Sequence, residues 1–257
     1  MSLRTLLRAV LVTLSLSPFW LASVYSQGQG QYTVTMPYEA PIRPGMPAWR
    51  NVPASEHLKI LDIPVAVATN MTTDALVWSC LNHPWGPVCF AFNDPQMGVS
   101  RLFTNFYGFT ELRKRADAGQ CLVAAYKRLT TDREQQTNDN PLLLMYVHPL
   151  FQKPEIESLF SQEQFKELAM LSLRNCVSIR RKEKALSGTE VETARFALRL
   201  IITKGVVLSA GTSRVDRASL PTGAERFVNR RPVASDFTDQ VQALALAVTR
   251  GESQKNL

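Results

Sequence analysis

The 257 residues are 45% hydrophobic and 20% charged, ordinary for a globular protein, which excludes a chain too polar to form a core. That length allows one large domain or two small ones. The 29 Lys and Arg outnumber the 22 Asp and Glu, giving a formal net charge of +7, a modest excess that favours acidic partners and solubility without naming either.

The first 26 residues read as a cleaved secretory signal. Arg4 and Arg8 make a basic start, Ala9 to Leu16 is an uncharged apolar run, and Pro18 breaks it. Val24-Tyr25-Ser26 then sets small residues at the positions needed for cleavage before Gln27. The alternative is an N-terminal membrane anchor, because Ala9 to Tyr25 offers 17 residues, at the short limit for a bilayer span. Cleavage would remove two arginines and leave 231 residues with a net charge of +5. The expected location is secreted or periplasmic.

Residues 27–56 form an arm. Pro37, Pro41, Pro44, Pro47 and Pro53 remove backbone donors and hold the chain extended. Tyr32, Met36, Tyr38, Met46 and Trp49 are too apolar for free solution, so the arm is expected to pack along the body, with a β-like stretch at Tyr32 to Thr35. Residues 57–257 then make a mainly helical globular domain. Within it, Ile63 to Thr69 alternates partly and reads as a strand. Residues 73–82 suit either a short helix capped by Thr72 or Thr73, or one arm of a hairpin whose second arm is Val88 to Phe92. Asn93-Asp94-Pro95 turns the chain.

From Thr110 the helical period is clear, with Leu112, Ala116, Leu122, Ala125, Tyr126 and Leu129 on one side. Gly119 weakens that helix by about 1 kcal/mol relative to alanine. Thr130 to Asn138 is a polar linker, after which Pro141 opens a buried helix that Pro149 should stop. Ser161-Gln162-Glu163-Gln164 is a capping box for a helix reaching about Lys182. Its inner face is Phe165, Leu168, Ser172, Asn175, Cys176 and Ile179. Thr189 and Glu192 make a second box, and Gly205 suits the residue after the helix end, with Val206 to Leu208 continuing as a strand. Gly211 to Pro232 reads as an irregular surface loop; its Arg214, Arg217, Arg226, Arg230 and Arg231 are a candidate site for acidic partners. The last helix begins at Ser235, buries Phe237, Val241, Leu244 and Val248, and ends before Gly251. The fold class is mainly α with a small β component (α+β), a single disulfide-stapled helical domain behind a proline-rich arm.

Disulfides are expected because an exported chain with four cysteines pairs them most simply in two bonds. Three pairings are possible, and Cys80 with Cys89, Cys121 with Cys176, is favoured. Cys80, His83 and Cys89 also supply three potential zinc ligands inside ten residues, but no second pair of ligands follows, so the disulfide reading prevails and neither metal nor cofactor is expected. Asn70-Met71-Thr72 is a glycosylation sequon.

Catalytic grammar is sparse. Neither Gly-x-Ser-x-Gly, Ser-x-x-Lys nor a phosphate loop occurs. His83 and His148 are the candidate general bases, although His83 before a proline in a turn reads most simply as an exposed polar residue. Candidate binding residues are Trp85 and the cluster of Phe103, Phe106 and Tyr107 beside Arg113, Lys114 and Arg115, with Phe109 and Arg101 nearby. Rings flanked by cations suit lipid, glycan or single-stranded nucleic acid, and export argues against the last. The competing reading is that these rings feed the core. The expectation is therefore an exported non-catalytic protein that binds an acidic envelope polymer, a lipid surface or a protein. The alternatives are a secreted hydrolase acting on an envelope polymer, and a lipid or small-molecule carrier with a cavity lined by Leu142 to Val147.

Overall fold

The long amphipathic segment opened by Ser161 is the element around which the others collect. In the computed structural model, residues 33–92, 94–131, 141–183, 188–210, 213–229 and 237–253 are described, and residues 33–257 belong to one compact unit. The α-helices are α1 His57–Ile60, α2 Val65–Asn70, α3 Thr73–Leu81, α4 Pro95–Asn105, α5 Tyr107–Leu112, α6 Ala118–Thr131, α7 Pro141–Phe151, α8 Pro154–Glu157, α9 Gln162–Glu183, α10 Gly188–Lys204, α11 Ala224–Val228 and α12 Phe237–Ser253. Strands β1 Leu208–Ala210 and β2 Ser213–Val215 pair antiparallel, with Leu208 opposite Val215. The protein is mainly α with a small β component.

Helix α9 begins as its sequence dictates. The Ser161 N–H donates to Gln164 Oε1 at 2.8 Å, and the Gln164 N–H donates to Ser161 Oγ at 3.3 Å, so two donors at the helix start are satisfied reciprocally. Helix α9 packs against α6, α10 and α12. Its expected inner face is buried throughout, and Ala169, Leu171, Leu173 and Val177 are buried as well. A helix contacted by three neighbours buries a wide apolar face, while Glu163, Lys166, Glu167 and Arg174 stay exposed on the other side.

Polar residues inside this core are tied together. Tyr126 on α6 bonds His148 Nε2 on α7 at 3.0 Å and Ser172 Oγ on α9 at 2.8 Å. The Ser172 hydroxyl donates to the Leu168 carbonyl. By contrast, the buried Asn175 amide has no hydrogen-bond partner among the described residues.

Several expectations are corrected by packing. The segment at 63–69 is helix α2 after Pro64, not a strand. Of the two readings at 73–82 the helix holds, with the Ala75 N–H donating to Thr72 Oγ1 at 3.2 Å. The expected second hairpin arm is instead a 3-10 turn, Pro87–Ala91. Asp94 and Pro95 do more than turn the chain: Asp94 accepts the Gln96 N–H and Pro95 occupies the first turn of α4. The helix expected from Thr110 is broken between α5 and α6, where Arg115 folds back to the carbonyls of Ala68 and Thr69, both at 3.1 Å. Those carbonyls lie at the end of α2, where helices lack internal donors.

Pro149 lies inside α7 rather than ending it; near a helix end its missing N–H removes only one bond. Thr189 does not cap α10, because the helix already runs from Gly188 and its carbonyl accepts the Thr193 hydroxyl. Gly205 does follow the helix end, with φ of 64°. The arginine-bearing segment is more regular than a surface loop, since it holds β2 and α11. Arg230, Arg231, Ser235, the linker beyond Thr131 and the signal segment lie outside the described residues.

No disulfide staples the fold. All four thiols are free. Cys89 Sγ points to the Trp85 carbonyl in its own turn at 3.8 Å. Cys121 lies on the half-exposed flank of α6, its Sγ 3.9 Å from Asp117 Oδ2. Cys176 is buried and faces α10, 3.8 Å from the Glu190 carbonyl. Helix direction thus turns the sulfurs towards different neighbours. Burial pushes the Cys80 and Cys176 thiols up, and Cys89 up to about 11, so all three stay protonated at neutral pH.

Two tests follow from this packing. Brief alkylation of the folded protein should modify Cys121 alone, and alkylation after unfolding without reductant should count four thiols by mass; fewer would restore a disulfide. A Cβ on Gly119 would run into the Leu159 carbonyl oxygen. Gly119→Ala should therefore destabilise by roughly 1–3 kcal/mol, read as a lower urea midpoint, instead of giving the gain alanine brings to an open helix.

Candidate functional site

The proline-rich arm crosses the body as a strap. Val34 forms an isolated parallel bridge with Met71, in which the Val34 N–H reaches the Asn70 carbonyl at 2.8 Å and the Thr72 N–H reaches Val34 at 2.9 Å. Four residues on, the Tyr38 N–H donates to Ser79 Oγ at 2.8 Å. Each proline removes a donor that a continued ladder would use, so the strap is held at separate points. Between strap and body lies a groove of about 440 Å³. Met36, Tyr38 and Ala40 line it from the strap, and Leu61, His83 and Phe106 from the body. The Glu39–Arg43 ion pair and Asn82 supply polarity at its rim.

His83 is placed by the turn that ends α3. It is buried, not exposed as its turn context suggests. Its Nδ1 accepts the Trp85 N–H at 3.1 Å, and the ring also bonds the Leu61 backbone. With Nδ1 accepting, the proton of the neutral ring sits on Nε2. Phe106 stands edge-on, 4.5 Å between centroids. Burial lowers the imidazole from its usual 6.5 to about 4, partly offset by the bond to Leu61. Protonation would also set an Nδ1–H against the Trp85 N–H.

His148 belongs to the core network and stacks on Phe196 at 4.9 Å. Trp85 is half-buried beside His57, whose ring stacks on Trp49 of the arm at 4.1 Å. Phe103, Phe106 and Phe109 are core residues, and Tyr107 is half-buried. The aromatic cluster therefore packs inward, and Phe106 alone of it reaches the groove. Arg115 serves α2 and Glu111, while Arg113 and Lys114 stay exposed. Leu144, Tyr146 and Val147, expected to line a carrier cavity, fill the core, with Leu142 exposed. Arg214 pairs with Asp216 and Arg217 with Glu225, so part of the basic segment is neutralised internally. The sequon is engaged as well: Asn70 Nδ2 donates to the Ala66 carbonyl and Thr72 caps α3.

Sequence reasoning missed Tyr38, Glu39, Arg43, Ser79 and Asn82 as groove residues. The available signal was the apolar content of the arm, which announced packing without saying against what. A second cleft of about 440 Å³ lies between Gln96, Gln152 and Arg199. It holds Asp94 and Glu192 against Arg195 and Arg199, and Arg195 is already engaged by Glu192 and the Phe227 carbonyl. The strap groove better matches a ligand site, with apolar walls and few polar groups. Among the described residues, no cluster of three or more His, Cys, Asp or Glu side chains is arranged to hold a metal, and no helix is long and apolar enough to cross a membrane. No protein-family model, no curated protein and no solved structure matches the chain.

His83 makes the site acid-sensitive. Its folded value lies below that of the unfolded chain, so its contribution is complete above about pH 6.5 and is lost as the pH falls through about 4. The full loss is about 3 kcal/mol for this residue. Urea midpoints taken from about pH 7 to about pH 4 should fall more steeply for the wild type than for His83→Gln. Equal slopes would show that the imidazole is not buried as described.

Proposed function

We propose that the protein is an exported, non-catalytic binding protein whose ligand enters the groove beneath the strap. The observation that carries this reading is the groove itself, about 440 Å³ with apolar walls and polar groups at its rim. Ligand pockets commonly measure about 300–1,000 Å³ and combine apolar lining with a few polar anchors. The ligand class that fits is a compact apolar molecule with a hydrogen-bonding end directed at Asn82.

A hydrolase reading has less support. With its affinity for protons lowered to about 4, His83 is a weak base at neutral pH. Its nitrogens are engaged by backbone groups, and the nearby Ser79 hydroxyl donates to the Ala75 carbonyl. Nucleophile and base are thus each committed to holding the fold. Export rests on the signal-like residues 1–26. Burial of Cys80, Cys89 and Cys176 shields their free thiols from oxidants, so unpaired cysteines do not exclude export.

Native mass spectrometry of protein recovered from the extracytoplasmic fraction tests both parts. The expected species begins at Gln27 and carries a small molecule, which Asn82→Trp at the groove rim removes without lowering the melting temperature. An intact N-terminus argues for the anchor, and ligand-free wild type sinks the groove reading.

A further inference from the structure

On the body away from the strap contacts, Phe103 carries two cations. Arg113 Cζ lies 5.5 Å and Lys153 Nζ 5.8 Å from its ring centroid. Phe109 stacks on the same ring at 4.9 Å with an interplanar angle of 25°, which leaves the opposite face to the cations. Lys153 is further fixed by donating to Ser100 Oγ at 3.0 Å. Among the described residues, neither Arg113 nor Lys153 has a carboxylate within ion-pair distance. Glu155, two residues from Lys153, makes no ion pair with it, and Glu157 is taken by Lys204 at 2.5 Å. Glu111 is divided between Lys114 at 3.2 Å and Arg115 at 2.9 Å.

A ring face differs from a carboxylate in one respect that matters here. It holds a cation in place through its quadrupole but does not neutralise the charge. Arg113 and Lys153 are therefore positioned in advance and still carry their full attraction for an anion, which lowers the ordering cost of binding. The guanidinium offers a planar fork and the ammonium a point charge, a combination suited to a tetrahedral oxyanion. Lys114, its Nζ 5.5 Å from the Tyr107 centroid, is paired with Glu111 and is not part of the site. Arg113 is exposed and Lys153 half-buried, so the pair opens to solvent, while the ring beneath them, Phe103, is buried and does not reach out towards a bilayer.

We propose that Arg113 and Lys153 form an oxyanion-binding shelf over Phe103 that receives a phosphate-bearing linear polymer. This site is independent of the strap groove and its ligand.

The test measures binding of linear polyphosphate, inorganic phosphate and vesicles containing an anionic lipid. Wild type should bind polyphosphate with an affinity that falls as salt rises, because bound counterions are released. Arg113→Glu with Lys153→Glu should weaken it at least about tenfold at an unchanged melting temperature, whereas Lys127→Glu on exposed α6 should change it by less than about twofold. If the double reversal unfolds, Arg113→Gln and Lys153→Gln should each weaken binding about threefold. Asn82→Trp should leave it unchanged, so the shelf and the groove fail separately. Absence of polyphosphate binding overturns the shelf. So does an equal loss in Lys127→Glu, which would mean net charge alone. Inorganic phosphate binding as tightly as the polymer would mean an adventitious ion only, and tighter binding to vesicles would mean a membrane face.

Discussion

The Tyr126 hydroxyl, held between His148 and Ser172 with no access to water, is the interaction on which the arrangement of the body depends. A buried phenol, imidazole and hydroxyl each cost stability unless partnered, and here each satisfies another. Because they come from α6, α7 and α9, the network permits one relative placement of three helices. Apolar neighbours alone would tolerate sliding, since hydrophobic burial has no direction. Asn175, one turn beyond Ser172, shows the opposite case: its amide is buried without a partner among the described residues and weakens the same core.

That placement propagates to the surface through α7. Two residues before His148, Tyr146 donates its hydroxyl to the Cys80 carbonyl at 3.1 Å, fixing the end of α3. Gly86 lies against the same ring, where an added Cβ would come within 3.2 Å. The turn between Cys80 and Gly86 is thereby set, and with it the inward aim of His83. The strap needs the same support, because Ser79 on α3 is its second point of attachment. The groove is thus a consequence of core packing with an added proline-rich wall.

Much of the secondary structure was legible because its causes are local. The Ser161 box, the Thr72 cap and the positive φ at Gly205 depend on residues a few positions apart. The inner face of α9 followed from spacing alone. Reading failed where a short apolar run had two meanings: Ile63 to Thr69 and Val88 to Phe92 contain residues typical of strands, yet Pro64 and Pro87 open helical turns over Val65–Asn70 and Pro87–Ala91. At Gly98 a Cβ would lie 2.5 Å from Cys89 Cα, an approach no periodicity reports.

Of the candidate site, the sequence marked His83 and Phe106 but not the strap residues opposite them. Composition made the arm apolar enough to pack, and helical period determined most of the long helices. Only the tertiary structure decided where the arm lies, that His83 is buried and that the cysteines remain apart. The physical reason is the same in each case. Capping and periodicity are short-range properties of the chain, whereas burial, sulfur direction and groove shape depend on which faces meet, and those are selected by long-range contacts such as Tyr126 with His148 and Ser172.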